Sequence, residues 1–382
     1  MIYLDHAAAT PLSQKAQEAM AGFWSEKFFN PSASYLPAVE VRGLYEQAKD
    51  DIAHSIGAKG VDLVITAGAT ESINLAFSSI QDTTAEVLIS AVEHPSVLQT
   101  AQRFKNLKII KVDKYGRIDL EDFKRKLSPK TQLISICFAS SELGTIQPLS
   151  DIGRLVKAER QRRALNDEKT PLYFHSDASQ GFGLLEMKVN RLGVDLLTLN
   201  SGKIYGPKGV GALYVGHNVK LQPLIYGGGQ ERGLRSGTEN VPAVIGFAKA
   251  TTEATKHLHS EYKRLKKLKT QLKNDLKDIP DLLFLGKEKN QLVNFLPISI
   301  PGLDAERLIF LLEDQDVYLS TGAACSANKR TVSQTLKAIN LSEAEIAGSL
   351  RITLGKLNDE KNLKQAAKLI HQAIESERAR VK

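Results

Sequence analysis

Over most of the first 215 residues, short apolar runs alternate with longer stretches of helical spacing. The runs "DLVIT" (62–66), "EVLIS" (86–90), "LKIIKV" (107–112), "TQLISICF" (131–138), "LYFHS" (172–176), "DLLTL" (195–199) and "GALYV" (211–215) read as strands. Between the earlier ones lie "TESINLAFSSI", "HPSVLQTAQRF", "DLEDFKRKL" and "LSDIGRLVKAERQRRAL", whose apolar positions recur as on a helix face. That alternation predicts an α/β domain with a mostly parallel sheet covered by helices on both faces. After about residue 240 the pattern changes. A long helical region (roughly 240 to 277) leads to shorter strands such as "NFLPISI" (294–300), then to "AERLIFLLED", a loop around Cys325, "TVSQTLKAI" and a C-terminal helix. The expected division is a large domain over 13–255 and a smaller α+β domain made of 1–12 with 256–382. The first dozen residues are assigned to the latter because two helical stretches separate them from the first strand.

Composition agrees with two soluble domains: 382 residues, 42% hydrophobic and 25% charged. "MIYLDHAAATP" lacks the basic and apolar regions of a secretion signal, and no apolar run approaches the ~20 residues that span a bilayer. A cytoplasmic protein that does not engage membranes is expected. The net charge is +8, with a local excess in "KHLHSEYKRLKKLKTQLKNDLKD" (256–278). This is either a solvated helix face or a docking surface for an acidic partner or RNA. It lacks a pattern of interleaved aromatics, and direct DNA binding is not expected. The two cysteines, Cys137 and Cys325, exclude a disulfide framework and an all-cysteine metal site within one chain. Each is a buried apolar residue or a reactive thiol.

In open α/β sheets, ligands bind beyond the carboxyl ends of the strands, and the residues that follow each run have chemistry to offer. After "DLVIT" comes "AGATES", in which Gly68, Ala69 and Thr70 open a helix. This is either a phosphate cradle at a positive helix end or a plain cap with Thr70 as the N-cap residue. After "EVLIS", His94 is a capping residue or an imidazole that stacks on a flat ligand and handles protons. After "LYFHS", Asp177 is an N-cap or the partner of a buried cation such as a protonated pyridine nitrogen, with Gln180 a donor to another ring edge. After "DLLTL", Asn200 and Ser201 are phosphate-compatible donors, and Lys203 is a loop lysine or a covalent anchor. Cradle, imidazole, acid and lysine follow one another on successive strands. Together they supply the parts needed to hold pyridoxal 5'-phosphate: an anion site, a partner for the ring nitrogen and an amine for a Schiff base.

"YLDHAAATP", "NPSAS", "TAGATES", "EHPSVL", "SDASQ", "KIYGPKGVGALYV", "GGGQERGLRSGTENV", "STGAACS" and "SLRITLG" occur in the order found in cysteine desulfurases of the NifS/IscS group, within the class V aminotransferase superfamily. The resemblance runs from residue 2 to about 356. It implies a PLP-dependent transferase fold of the aspartate-aminotransferase type (fold type I). The implied reaction takes sulfur from L-cysteine, leaving L-alanine and an enzyme persulfide. Residue by residue, Lys203 resembles the Schiff-base lysine, His94 the stacking imidazole, Asp177 the partner of the pyridine nitrogen and Gln180 a donor to the ring hydroxyl. Ala69, Thr70 and Ser201 resemble phosphate ligands. Thr238 resembles the residue that reaches the phosphate of the other subunit, which implies a homodimer. Asn30 and Arg351 resemble the ligands of the substrate carboxylate.

Cys325 resembles the sulfur-accepting nucleophile. Its setting, "STGAACSANKR", is rich in small residues with cations nearby, and Cys137 in "LISICF" fits the buried role instead. The length of the segment resembles the long-loop branch, which hands sulfur to an iron–sulfur scaffold or a sulfur carrier protein, for cluster assembly or tRNA thiolation. The chain departs from the family pattern at three positions. Gly202 replaces the usual His before the lysine, Ser141 replaces an Asn that contacts the ring hydroxyl, and Tyr35 stands where His is common. Gly202 and Ser141 remain expected wall residues of the cofactor site, each with a hydrogen bond of about 1 kcal/mol fewer to offer. The alternatives are a selenocysteine lyase or another class V enzyme, and a cofactor-impaired binding partner in sulfur transfer.

Overall fold

The computed structural model describes residues 1–321 and 333–381. The chain opens with a two-residue strand, β1 (Ile2–Tyr3), and the helices α1 (Gln14–Ala21) and α2 (Leu36–Ser55). Strands and helices then alternate as the periodicity predicts: β2 (Leu63–Thr66), α3 (Ala69–Phe77), β3 (Glu86–Ser90), α4 (Pro95–Ala101), β4 (Asn106–Ile110), α5 (Leu120–Lys126), β5 (Thr131–Ser135), α6 (Leu149–Leu165), β6 (Tyr173–Asp177), α7 (Val189–Leu192), β7 (Leu196–Asn200) and β8 (Gly211–Val215). These strands form one sheet in the order β2-β8-β7-β6-β5-β3-β4. β8 alone runs antiparallel to its neighbours, and the remaining pairings are parallel. The helical crossovers impose that arrangement, because parallel strands cannot be joined by a tight turn. The inner strands are apolar on both faces since helices cover both, and β3 is buried along its whole length. β4, at the edge, is partly exposed and carries lysine.

Local chemistry sets the element ends. β2 begins one residue later than "DLVIT" because Asp62 closes a short turn by accepting from the Lys59 amide at 3.1 Å. β5 ends at Ser135, yet the chain stays extended: the Ile136 and Phe138 amides donate to the carbonyls of His175 and Asp177. Helix α6 lies tight against the turn after α7, where a Cβ on Gly153 would stand 2.4 Å from the Leu192 carbonyl oxygen.

The second apolar core lies around an antiparallel sheet. Helix α8 (Val241–Leu276) leads to it through β9 (Leu283–Phe284), β10 (Phe295–Ser299), α9 (Ala305–Glu313), β11 (Val317–Tyr318) and β12 (Ser320–Thr321). After residue 332 come α10 (Gln334–Ala338), α11 (Glu343–Ala347), β13 (Ser349–Thr353) and α12 (Glu360–Val381), and the sheet order is β12-β13-β10-β9. α8 belongs to both cores. Val244, Phe247 and Ala250 near its start pack with the large sheet. Leu265, Leu268, Leu272 and Leu276 pack with Ile2, Leu4 and Ile298. The N-terminus is drawn there because β1 pairs in parallel with β11. It then crosses back toward the large sheet over residues 5–10. No helix among the described residues is long and apolar enough to cross a membrane.

Candidate active site

A cavity of about 780 Å³ opens at the carboxyl ends of the large-sheet strands. Its walls bring together Ala69 and Thr70 after β2, His94 after β3, Ser141 after β5, Asp177 at the end of β6 with Gln180 just beyond it, and Gly202 and Lys203 after β7. Eight of the ten residues expected from sequence to hold the cofactor therefore face one space.

The cradle after β2 depends on Gly68, whose φ of 148° is accessible chiefly to glycine. α3 starts at Ala69, so the cap is Gly68, and the sequence expectation of Thr70 as N-cap is corrected. A Thr side chain would need extended backbone to cap, whereas position 70 is already helical. The amides of Ala69, Thr70 and Glu71 have no acceptor among the described residues. Three free N–H groups at the positive end of a helix make an anion site.

Lys203 ends a short turn capped by Asn200, whose Oδ1 accepts from the Gly202 amide at 3.0 Å. Its Nζ donates to the carbonyl oxygens of Ala7 (2.7 Å) and Ala8. Gln180 Nε2 donates to the same Ala7 oxygen at 3.1 Å. Thr10 fastens this N-terminal segment to the lysine turn: its Oγ1 donates to the Gly202 carbonyl and accepts from the Tyr205 amide. Asp177 is 7% exposed. Its Oδ1 accepts from both the amide and the hydroxyl of Ser179, while Oδ2 has no donor among the described residues. One carboxylate oxygen is thus left to face the cavity.

His94 fills both roles weighed from sequence. It is the N-cap of α4, where Nδ1 accepts from the Ser96 amide at 3.1 Å, and it lines the cavity. With Nδ1 accepting, the neutral ring carries its hydrogen on Nε2. Burial pulls its pKa below 6.5; the Asp177 charge opposes this, and Lys203 and Arg351 add to it. If His94 must be neutral to work, the acid limb it contributes to kcat/KM falls below pH 6.5, its ordinary value. A pH profile of wild type and His94→Asn checks this, with that limb expected to be missing from the variant.

Beside His94 in sequence, Glu93 is buried, and burial pushes its pKa up to about 8. Its Oε1 accepts from the Ser90 hydroxyl and, at 2.8 Å, from the Cys137 amide. Cys137 is buried, as its apolar run suggested, and burial raises its thiol well above the ordinary range. It is a protonated, unreactive thiol at neutral pH. Cys325 lies outside the described residues.

Four further candidates lie off the cavity wall. Ser201 Oγ is fully buried against Gly206, without a hydrogen-bond partner among the described residues. Arg351, on β13, is buried: Nη2 pairs with Asp5 Oδ1 at 2.8 Å, Nη1 donates to the Ser141 carbonyl at 3.0 Å, and Nε has no partner among the described residues. Asn30 and Thr238 stand on exposed loops ahead of α2 and α8. Sequence reasoning missed the carbonyls of Ala7 and Ala8, the buried Glu93, and Leu224 and Ile225 on the outer wall. The small-residue run "HAAATP" was the available signal for the first of these, and the glycines of "IYGGGQERG" for the last.

The family model for aminotransferase class-V matches residues 2–365. The chain is 36% identical over 383 residues to cysteine desulfurase IscS 1 of Archaeoglobus fulgidus, covering 98% of this chain and 97% of the relative. It is 37% identical over 383 residues to cysteine desulfurase IscS of Dictyoglomus turgidum, covering 98% and 94%. Among solved structures, a NifS-like protein superposes with a TM-score of 0.89 at 31% identity over 98% of this chain and 99% of the other. SspA in complex with cysteine superposes with a TM-score of 0.77 at 32% identity over 93% and 99%.

Proposed function

The chain belongs to the class V aminotransferase family, with the α/β architecture of fold type I transferases, and we propose that it is a cysteine desulfurase that uses pyridoxal 5'-phosphate. The reaction converts L-cysteine to L-alanine and leaves the sulfur as a persulfide on Cys325. The observation that carries the reading is the single cavity in which an anion-ready helix start, a half-open Asp177, a neutral His94 and Lys203 converge.

These residues fit the cofactor. The amides of Ala69 and Thr70 suit its phosphate, and the family resemblance assigns Ser201 to the same group, although its Oγ is buried off the cavity wall. The open oxygen of Asp177 suits a protonated ring nitrogen, Gln180 the ring hydroxyl, and His94 the ring face. Lys203 is the covalent anchor. Ser141 and Gly202 line the wall without the side chains that relatives commonly carry there. When bound, the cofactor supplies an electron sink for chemistry at the substrate α-carbon.

The chain's own groups do the rest. Lys203 Nζ moves the α-proton, and His94 Nε2 holds or delivers a proton beside it. Arg351, fixed by Asp5, and Asn30 are assigned to the substrate carboxylate. The Cys325 thiolate takes the sulfur and passes it to an iron–sulfur scaffold or a sulfur carrier protein. The small domain, 1–12 with 256–382, carries that cysteine, and the large domain, 13–255, carries the cofactor.

The working unit is a homodimer in which Thr238 reaches the partner's phosphate. Trp24, Phe28 and Leu36, each more than 60% exposed, flank Asn30 in sequence and are apolar side chains of the kind that copies bury against one another. Incubating the holoenzyme with L-cysteine and a thiol reductant tests the reading: alanine and sulfide are expected in equal amounts. A keto acid without alanine contradicts it, and turnover restricted to selenocysteine favours a selenocysteine lyase.

A further inference from the structure

The loop between β8 and α8 forms the outer wall of the cavity through Leu224 and Ile225, and it ends at Thr238. Its backbone is unfavourable. Glu231 (φ 48°) and Arg232 (φ 62°) are consecutive non-glycine residues in the left-handed region, flanked by Gly229 at 81° and Gly233 at 77°. Such a conformation persists only where surrounding contacts impose it. One side chain ties this turn to two other elements. The carboxylate of Glu231 is buried, with a side-chain exposure of 4%. One oxygen accepts from the Tyr45 hydroxyl, and Lys49 Nζ lies 3.1 Å from the other. That second oxygen also accepts from the Ile65 amide at 2.8 Å. Tyr45 and Lys49 belong to α2, and Ile65 to β2, the strand that runs straight into Gly68 and the anion site.

A second tether leads to the same place. Arg235 Nε donates to Glu71 Oε1 at 3.1 Å, and Glu71 Oε2 accepts from the Ala67 amide at 2.9 Å. The loop is also held to itself, with the Gly237 amide on Gln230 Oε1 and the Gly229 amide on Ser236 Oγ. The two tethers reach the strand and the first helical turn that present Ala69 and Thr70. A lone buried ion pair is a weak source of stability, because desolvation offsets its attraction. A carboxylate that gathers three elements at once fixes their relative geometry instead.

We propose that Glu231 is a positioning residue, which clamps the 224–238 loop onto the phosphate cradle and so sets the grip on the cofactor phosphate in both subunits. The inference rests on the cofactor and dimer reading above. In its own subunit, the Ile65 contact and the Arg235–Glu71 pair keep the cradle in register. In the partner, the loop delivers Thr238. Loosening the clamp therefore weakens the hold on the phosphate and leaves the pocket for the ring untouched.

The test compares pyridoxal 5'-phosphate with pyridoxal, which lacks the phosphate, in titrations of cofactor-free wild type, Glu231→Gln and Tyr45→Phe followed by visible absorbance. Glu231→Gln is expected to weaken binding of the phosphorylated cofactor roughly tenfold, with pyridoxal affinity unchanged. Tyr45→Phe, which keeps the ion pair, moves the same way by a smaller factor. It decides the matter if circular dichroism shows Glu231→Gln unfolded. Equal loss for both ligands, or no loss for either, overturns the proposal while the functional reading stands. A wild-type chain that takes up neither ligand overturns both.

Discussion

Replacing Lys203 with alanine lowers turnover of L-cysteine by about 10⁴-fold, near the upper end of what a positioned proton-transfer group contributes. The lysine is proposed as both the covalent anchor and the base, and among the described residues no other amine is placed to take over. Lys208 lines the same cavity, but its Nζ donates to the Thr10 carbonyl. The fold tolerates the change, because Thr10 still joins the N-terminal segment to the turn through Gly202 and Tyr205. Arginine does not restore activity, since a guanidinium stays protonated at any working pH and forms no imine. Steady-state rates of the purified variant, with its thermal midpoint measured alongside, check both the loss and its origin.

Replacing Cys325 with serine separates sulfur transfer from cofactor chemistry. The variant retains the visible absorbance of the bound cofactor and the spectral change on adding L-cysteine, while sulfide release falls on the order of 10³-fold, because a hydroxyl at neutral pH is a far poorer nucleophile than a thiolate. Cys137 cannot substitute. Burial raises its pKa, and Glu93 and Asp177 raise it further, so the thiolate is disfavoured. Peptide mass spectrometry after brief exposure to L-cysteine finds one added sulfur on the Cys325 peptide of wild type and none on the variant. Sustained sulfide release by the variant would remove Cys325 from the proposed role.

The large sheet was legible because its strands are short apolar runs buried on both faces, and "EVLIS" and "GALYV" match β3 and β8 residue for residue. β9, β11 and β12 are two residues each and too short to carry a period. They exist because tertiary pairing supplies what propensity does not. Site residues that end strands could be found by position alone, as with Asp177 at the end of β6 and Lys203 after β7. The carbonyls of Ala7 and Ala8 could not, because a backbone oxygen has no sequence signature and reaches Lys203 only after β1 has docked beside β11. Glu93 was hidden for a related reason. A Glu beside a His reads as a solvated pair until the fold buries the carboxylate against the Cys137 amide. The Gly68 cap has no signature of its own: Thr70 offers a capping side chain on paper, and the φ of 148° is not written in the sequence.

The account depends most on Lys203 carrying the cofactor, and borohydride trapping measures that directly. Reduction of the holoenzyme followed by peptide mapping is expected to place a single pyridoxyl group on Lys203. Label on any other lysine, or on none, contradicts the assignment.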